Sequence, residues 1–214
     1  LNLPGSTPGR DLDMMKRLFD DPAFQPDFLK IYPLALLKTA DVYEMYKKGK
    51  FRPYSKKILI DLIGKIKTII PPYVRIERVI RDISSTQIIA GGAKVSNLRQ
   101  IVLEKMKAQG LSCKCIRCRE VRKELVGQEF TPAMFVRRDY PASDGQEIFL
   151  TIEDSSGKTL YSLLRLRIPS AEPPLSVLKN AAIIRDLHTY GALVDIGASS
   201  EDATQHKGFG KLLL

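Results

Sequence analysis

All three cysteines of the chain fall within six residues, at Cys113, Cys115 and Cys118, in the pattern C-x-C-x2-C. Three thiolates at this spacing can wrap one soft tetrahedral cation, and Lys114, Arg117 and Arg119 offset the negative charge. A disulfide would strand one thiol and suits a secreted chain. Structural zinc is the leading reading; redox or unmetallated thiols and an iron–sulfur role are the alternatives. A structural zinc wants four ligands. The two histidines, His188 and His206, are remote in sequence. His188 sits in an expected strand and reads first as a core histidine. The fourth ligand stays open, with a residue outside this chain as one choice.

The second chemical signal is Q-x-x-G-x-G, at Gln205, Gly208 and Gly210, followed by a short apolar run. A diphosphate needs several backbone N–H groups pointing inward, and side chains on the loop would obstruct that approach. A helix beginning there adds its positive end. His206, Lys207 and Lys211 can add charge or screening. The alternative is a helix-capping turn with incidental glycines, because short glycine patterns are common.

The third signal is charge. The chain has 34 Lys and Arg against 24 Asp and Glu, a formal +10. Between Tyr43 and Lys123 there are 20 basic and 6 acidic residues, a net +14, and the remainder is net −4. A solvated face explains many charge runs. So strong an asymmetry in a globular stretch favours a polyanion, nucleic acid before membrane. In "YVRIERVIRDI", Arg75, Glu77 and Arg81 alternate with apolar residues and share one face of a strand, with Arg78 on the other unless a bulge intervenes. Lys94 and Arg99 come next, near a Gly-rich turn and a helix start. These five basic residues are the nucleic-acid candidates; the competing reading pairs Arg81 with Asp82 or Glu77 as scaffold. Lys47, Lys48, Lys50, Arg52, Lys56 and Lys57 form a second cluster, either RNA-binding or solvated.

These residues need elements to hold them. Residues 11–21 pattern as a helix, 27–34 as a strand between prolines, and 39–48 as a short helix ended by Gly49. Residues 54–70 carry a stripe of Leu59, Leu62, Ile63, Ile66, Ile69 and Ile70, stopped by Pro71 and Pro72. Residues 73–83 read as a strand. A helix over 95–109 has Ser96 as its N-cap and Gly110 as its stop. That order is α/β, with parallel strands. Beyond the cysteines, residues 146–169 read as an antiparallel hairpin turning at Asp154 to Lys158, and residues 181–197 as a strand bent near Tyr190 and Gly191. No apolar run reaches the roughly 18 residues that would span a bilayer, and no stretch reads as a signal peptide. The expectation is a soluble cytoplasmic protein without membrane contact. The opening stretch reads as a strand end and loop, and the last as an uncapped helix, so the chain is expected to be part of a longer protein.

The antiparallel hairpin, bulged strand, acidic loop, glycine cradle and helix resemble, in that order, the core of GNAT acetyltransferases. The whole chain resembles the Elongator catalytic subunit family, a radical S-adenosylmethionine domain followed by a lysine-acetyltransferase-like domain. The stretches that carry the resemblance are "NLPGSTPGRD", "LKIYPL", "YKKGKFRPYS", "PPYVRIERVIRDI", "SNLRQIV", "CKCIRCREV", "IIRDLHTYG" and "QHKGFGKLL". "CKCIRCREV" looks more like the archaeal and bacterial members.

The resemblance implies a fold class. Residues 1–110 would be the C-terminal half of a radical SAM partial (β/α) barrel, 111–125 a short zinc-binding linker, and 126–214 the N-terminal part of an α+β GNAT fold. It implies modification of carbon 5 of the tRNA wobble uridine, with acetyl-CoA giving the two-carbon unit and S-adenosylmethionine, cleaved at a four-iron four-sulfur cluster, giving a radical. It places Gln205, His206, Lys207, Gly208, Phe209, Gly210 and Lys211 around the coenzyme A diphosphate, and Leu193, Val194, Asp195 and Ile196 beside the pantetheine arm. The cluster cysteines of the family belong to a separate motif that this chain does not contain, and no catalytic residue is assigned. The piece alone is therefore expected to be inactive. A homodimer or Elongator-type accessory subunits are the expected protein partners, and tRNA the expected substrate. A protein lysine acetyltransferase and a zinc-stabilised RNA-binding scaffold are the competing functions.

Overall fold

Ser55 opens a helix that the sequence strongly dictates: its hydroxyl accepts the Ile58 N–H at 3.3 Å, satisfying a donor that the first turn cannot. The structure is a computed structural model and describes residues 1–121, 132–191 and 208–214. The chain divides into two compact units, Leu1–Asp20 with Pro26–Cys115, and Asp21–Gln25 with Ile116–Leu214.

In the first unit the order is α1 (Pro8–Asp20), β1 (Phe28–Lys30), α2 (Val42–Lys47), α3 (Lys56–Ile69), β2 (Arg75–Arg78) and α4 (Leu98–Ala108). The strands β1 and β2 pair in parallel, as the alternation of strand and helix predicts. The stripe on α3 is buried through Leu59, Leu62, Ile63 and Ile66, and α4 buries Leu98, Val102 and Met106. Each such side chain removed from water contributes about 1.5–3 kcal/mol. Helix α4 begins at Leu98 with Asn97 in the cap position and no side-chain cap bond, so Ser96 is not the cap.

Both strands are shorter than the sequence pattern suggests. Pro33 comes soon after β1, and the Ile83 N–H bonds the Arg81 carbonyl at 2.9 Å, a tight turn that an extended strand excludes. The pairing Leu29↔Ile76 is followed by Lys30↔Arg78, leaving Glu77 as an extra residue. This bulge breaks the simple alternation assumed for the basic strand.

The second unit holds α5 (Ile116–Arg119), the strands β3 (Ala133–Ala142), β4 (Gly145–Asp154), β5 (Leu160–Ile168) and β6 (Ile183–Thr189), and α6 (Phe209–Leu213). The four strands form one antiparallel sheet in chain order. Strands β4 and β5 are the expected hairpin. Strand β3 was not anticipated from the sequence, because Arg137, Arg138, Asp139 and Pro141 obscure its alternation. Ser143 and Asp144 join it to β4 with φ of 45° and 58°, the primed type of turn that matches strand twist.

The sheet has two contrasting faces. On one, Ile152, Leu164, Tyr161 and Val121 form a core with Leu213 of α6, and Phe209 packs against it. On the other, Glu147, Phe149, Thr151 and Glu153 of β4 alternate and are all buried.

Candidate functional site

The cysteine turn comes first because its geometry is local. Cys113 and Cys115 are buried, Cys118 is half-buried, and none is in a disulfide. Their sulfur atoms all lie within 4.8 Å of one another. The Cys115–Ile116 junction leads straight into α5, and this one turn folds three thiols toward a common point. Three sulfurs so placed fit a thiophilic ion such as zinc and leave one tetrahedral position for a further ligand. His188 lies against Tyr190, with ring centroids 4.3 Å apart, and it is not among the groups gathered at the thiols.

Helix α5, which carries Cys118, is anchored in the sheet. The Arg119 guanidinium reaches Glu153 at 2.9 Å, and both side chains are almost fully buried. Arg138 donates to the same carboxylate at 2.7 and 3.1 Å, and the Thr151 hydroxyl donates at 2.7 Å. Burial works to raise the Glu153 pKa. The Arg138 hydrogen bonds, the Arg119 charge and Thr151 outweigh it and hold the carboxyl below its ordinary value. A second cluster on that face joins Glu147 to Arg167 at 2.7 Å and to Arg185 at 2.6 Å. These clusters were not singled out in the sequence. Their only signal is the placement of Glu147, Thr151 and Glu153 on one face of a strand, and the matching arginines come from α5 and from other strands.

At the far end, Gly208 has φ 77°, a left-handed conformation, and occupies the cap position of α6. The Leu212 N–H bonds its carbonyl at 2.9 Å. A Cβ added at Gly208 would meet nothing within 4 Å, and one at Gly210 would come no nearer than 3.7 Å, from the Thr189 hydroxyl. Packing among the described residues therefore does not demand glycine at position 210, and the open side suits a ligand's close approach. Phe209 is turned the other way, onto Tyr161, with centroids 5.9 Å apart, and Lys211 is exposed. The other expected cradle residues, Leu193, Val194, Asp195, Ile196, Gln205, His206 and Lys207, lie outside the described residues.

The basic candidates separate in the first unit. Arg81 and Lys94 are exposed and have no ion-pair partner among the described residues. Arg78 is bonded to Asp82, and Glu77 pairs with Lys30 at 3.4 Å. Arg75 is half-buried on β2. Arg99 turns inward, and its guanidinium donates to the Ile76 carbonyl at 2.8 Å and the Glu77 carbonyl at 3.1 Å. It secures the bulged strand; its other terminal nitrogen is buried without a hydrogen bond among the described residues.

Residues 26–108 match the Radical_SAM C-terminal domain. Over 99% of its length the chain is 42% identical to a tRNA uridine(34) acetyltransferase of Dehalococcoides mccartyi, and the match spans 46% of that protein. Over its whole length the chain is similar to members of the Elongator catalytic subunit family. Elongator complex protein 3 of Danio rerio is 37% identical over 100% of the chain and 39% of its own length. The solved archaeal Methanocaldococcus infernus Elp3 with an N-terminal deletion superposes with a TM-score of 0.86 at 40% identity, over 99% of this chain and 51% of that one. The chain thus shares the mixed α/β fold of that structure and spans about half the length of the relatives it matches. Among its described residues, no helix is long and apolar enough to cross a membrane.

Proposed function

We propose that the chain is part of an enzyme that modifies carbon 5 of the tRNA wobble uridine with a carboxymethyl-type group. The observation that carries this reading is the 42% identity, over 99% of the chain, to a protein named for acetyl transfer at uridine 34. In this reading the first unit is the second half of a radical SAM partial barrel, its parallel strands β1 and β2 joined through α2 and α3. The second unit is the opening part of a GNAT-type acetyltransferase fold. Zinc sits on Cys113, Cys115 and Cys118 as a structural ion.

Acetyl-CoA, when bound, supplies the two-carbon unit, and S-adenosylmethionine with a four-iron four-sulfur cluster supplies the radical chemistry in the full-length protein. The chain's own residues bind and orient. The N–H groups around Gly208 and Gly210 face the diphosphate, and Gln205, His206, Lys207 and Lys211 flank it. Leu193 to Ile196 lie along the pantetheine arm. Arg75, Arg78, Arg81 and Lys94 face the tRNA backbone, and Arg99 holds β2 in place for them. Phosphate contacts of this kind position the RNA without reading its sequence. The protein works in the cytoplasm, with accessory subunits or a second copy as its protein partners.

The rival of protein lysine acetylation shares the cradle but gives no role to the net +14 between Tyr43 and Lys123. The deciding experiment is acetyl-CoA hydrolysis by the full-length protein, with tRNA, with a histone-like peptide, and alone. The proposal expects strong stimulation by tRNA only. Turnover driven by the peptide and indifferent to tRNA would replace it with the protein acetyltransferase reading.

A further inference from the structure

The first unit contains a cleft of about 370 Å³ lined by Tyr46, Arg52, Tyr54, Lys56 and Gly91 among others. Its walls come from two connections, the one that leaves the C-terminal end of β1 and the one that leaves the C-terminal end of β2. In parallel α/β architectures ligands bind on that side of the strands, where the loops diverge.

The cleft is built rather than incidental. A Cβ at Gly91, which has φ +105°, would lie 2.8 Å from the Pro53 Cβ, so the two connections meet there only because residue 91 is glycine. The Gly92 N–H bonds the Tyr54 carbonyl at 2.9 Å. The Tyr54 N–H bonds the Asn2 side-chain oxygen at 2.6 Å, and its hydroxyl bonds Asp11 at 3.0 Å. Asn2 and Asp11 are themselves buried. A wall tied at three points loses little freedom when a ligand arrives.

Its chemistry is cationic and aromatic. Lys47 nearby is neutralised by Glu44 at 2.6 Å. Arg52 and Lys56 are exposed and have no carboxylate partner among the described residues. The Tyr46 ring is half-buried and stacked on Tyr43, with centroids 6.4 Å apart and planes at 22°. Two unneutralised cations beside a supported aromatic face suit a nucleotide, with the phosphate on the cations and the base on the ring. The volume falls in the range of small-ligand sites.

We infer that this cleft is a nucleotide subsite for the single-stranded RNA next to the modified base, with Arg52 and Lys56 on a phosphate and Tyr46 stacking a base. The inference rests on the RNA-modifying function proposed for the chain and names a place where that RNA is held.

The test is fluorescence anisotropy with the full-length protein and a fluorescein-labelled anticodon stem-loop RNA, across a salt series. Arg52→Ala with Lys56→Ala should weaken binding about tenfold and flatten the log–log salt slope by about one. Tyr46→Ala should weaken binding about fivefold or more and leave the slope unchanged. Photocrosslinking with 4-thiouridine in the loop should label the segments 46–56 or 90–91, a readout that needs no variant to fold. Wild-type, salt-dependent binding with unchanged variants and crosslinks elsewhere would overturn the subsite while leaving the RNA reading standing. Loss of S-adenosylmethionine binding with RNA affinity intact would also overturn it. A wild-type protein that binds no RNA would overturn both.

Discussion

The Tyr54 hydroxyl donates to Asp11 Oδ2 at 3.0 Å, across 43 residues of chain. The same carboxylate accepts the Asn2 N–H at 2.7 Å and the Ser6 hydroxyl at 2.6 Å. One carboxylate thus ties the first loop to the segment that opens α3. Burial first, and then the Asp11 bond and charge, push the Tyr54 pKa from 10.0 up to about 12. Because the folded value lies above the unfolded one, this contribution is intact below pH 10 and is lost as pH rises from 10 toward 12. Absorbance titration should include a late tyrosine step near pH 12. Tyr54→Phe should cost about 1–2 kcal/mol in denaturant unfolding and remove that late step; a late step that survives would contradict the assignment.

Glu153 gathers Arg119, Arg138 and Thr151 in a buried site. Its carboxyl is held below the ordinary value, so its contribution is present above about pH 4.5 and lost as pH falls through the folded value. Glu153→Ala leaves two guanidinium groups without their partner and should cost about 3–5 kcal/mol. It should also flatten the acid limb of the stability profile. A loss below about 1 kcal/mol would show that water reaches both arginines and solvates them.

Cys113, Cys115 and Cys118 should hold about one zinc per chain when the protein is purified without chelator. Cys113→Ser should lower the zinc content and the unfolding temperature together. Elemental analysis finding no metal in wild-type protein would remove the assignment.

Gly208 and Gly210 should respond differently to alanine. Gly208 has a left-handed backbone, so Gly208→Ala should cost about 1 kcal/mol of stability as well as acetyl-CoA affinity. Gly210 has room for a methyl group among the described residues. Gly210→Ala should leave thermal unfolding unchanged and abolish acetyl-CoA binding by calorimetry. Unchanged affinity in both variants would sink the cradle.

The parts legible in the sequence were those with strong local signals. The stripe from Leu59 to Ile66 gave α3, the prolines after it gave its end, and the cysteine spacing gave the thiol cluster. What escaped depends on partners distant in the chain. The role of Arg99 is fixed by carbonyls of Ile76 and Glu77, more than twenty residues away. The bulge at Glu77 depends on how β1 pairs, and no alternation pattern encodes it. Strand β3 is polar because Arg138 reaches across to Glu153, a contact that only the register of the sheet reveals.

The proposed modification of tRNA at the wobble uridine is read most directly by nucleoside mass spectrometry of that position. Transfer RNA from cells lacking the gene would be compared with that from cells carrying the full-length gene or its Gly210→Ala variant. A carboxymethyl-type group on uridine 34 is expected only with the unaltered gene. Identical uridine in all three, with acetylated protein appearing instead, would contradict it.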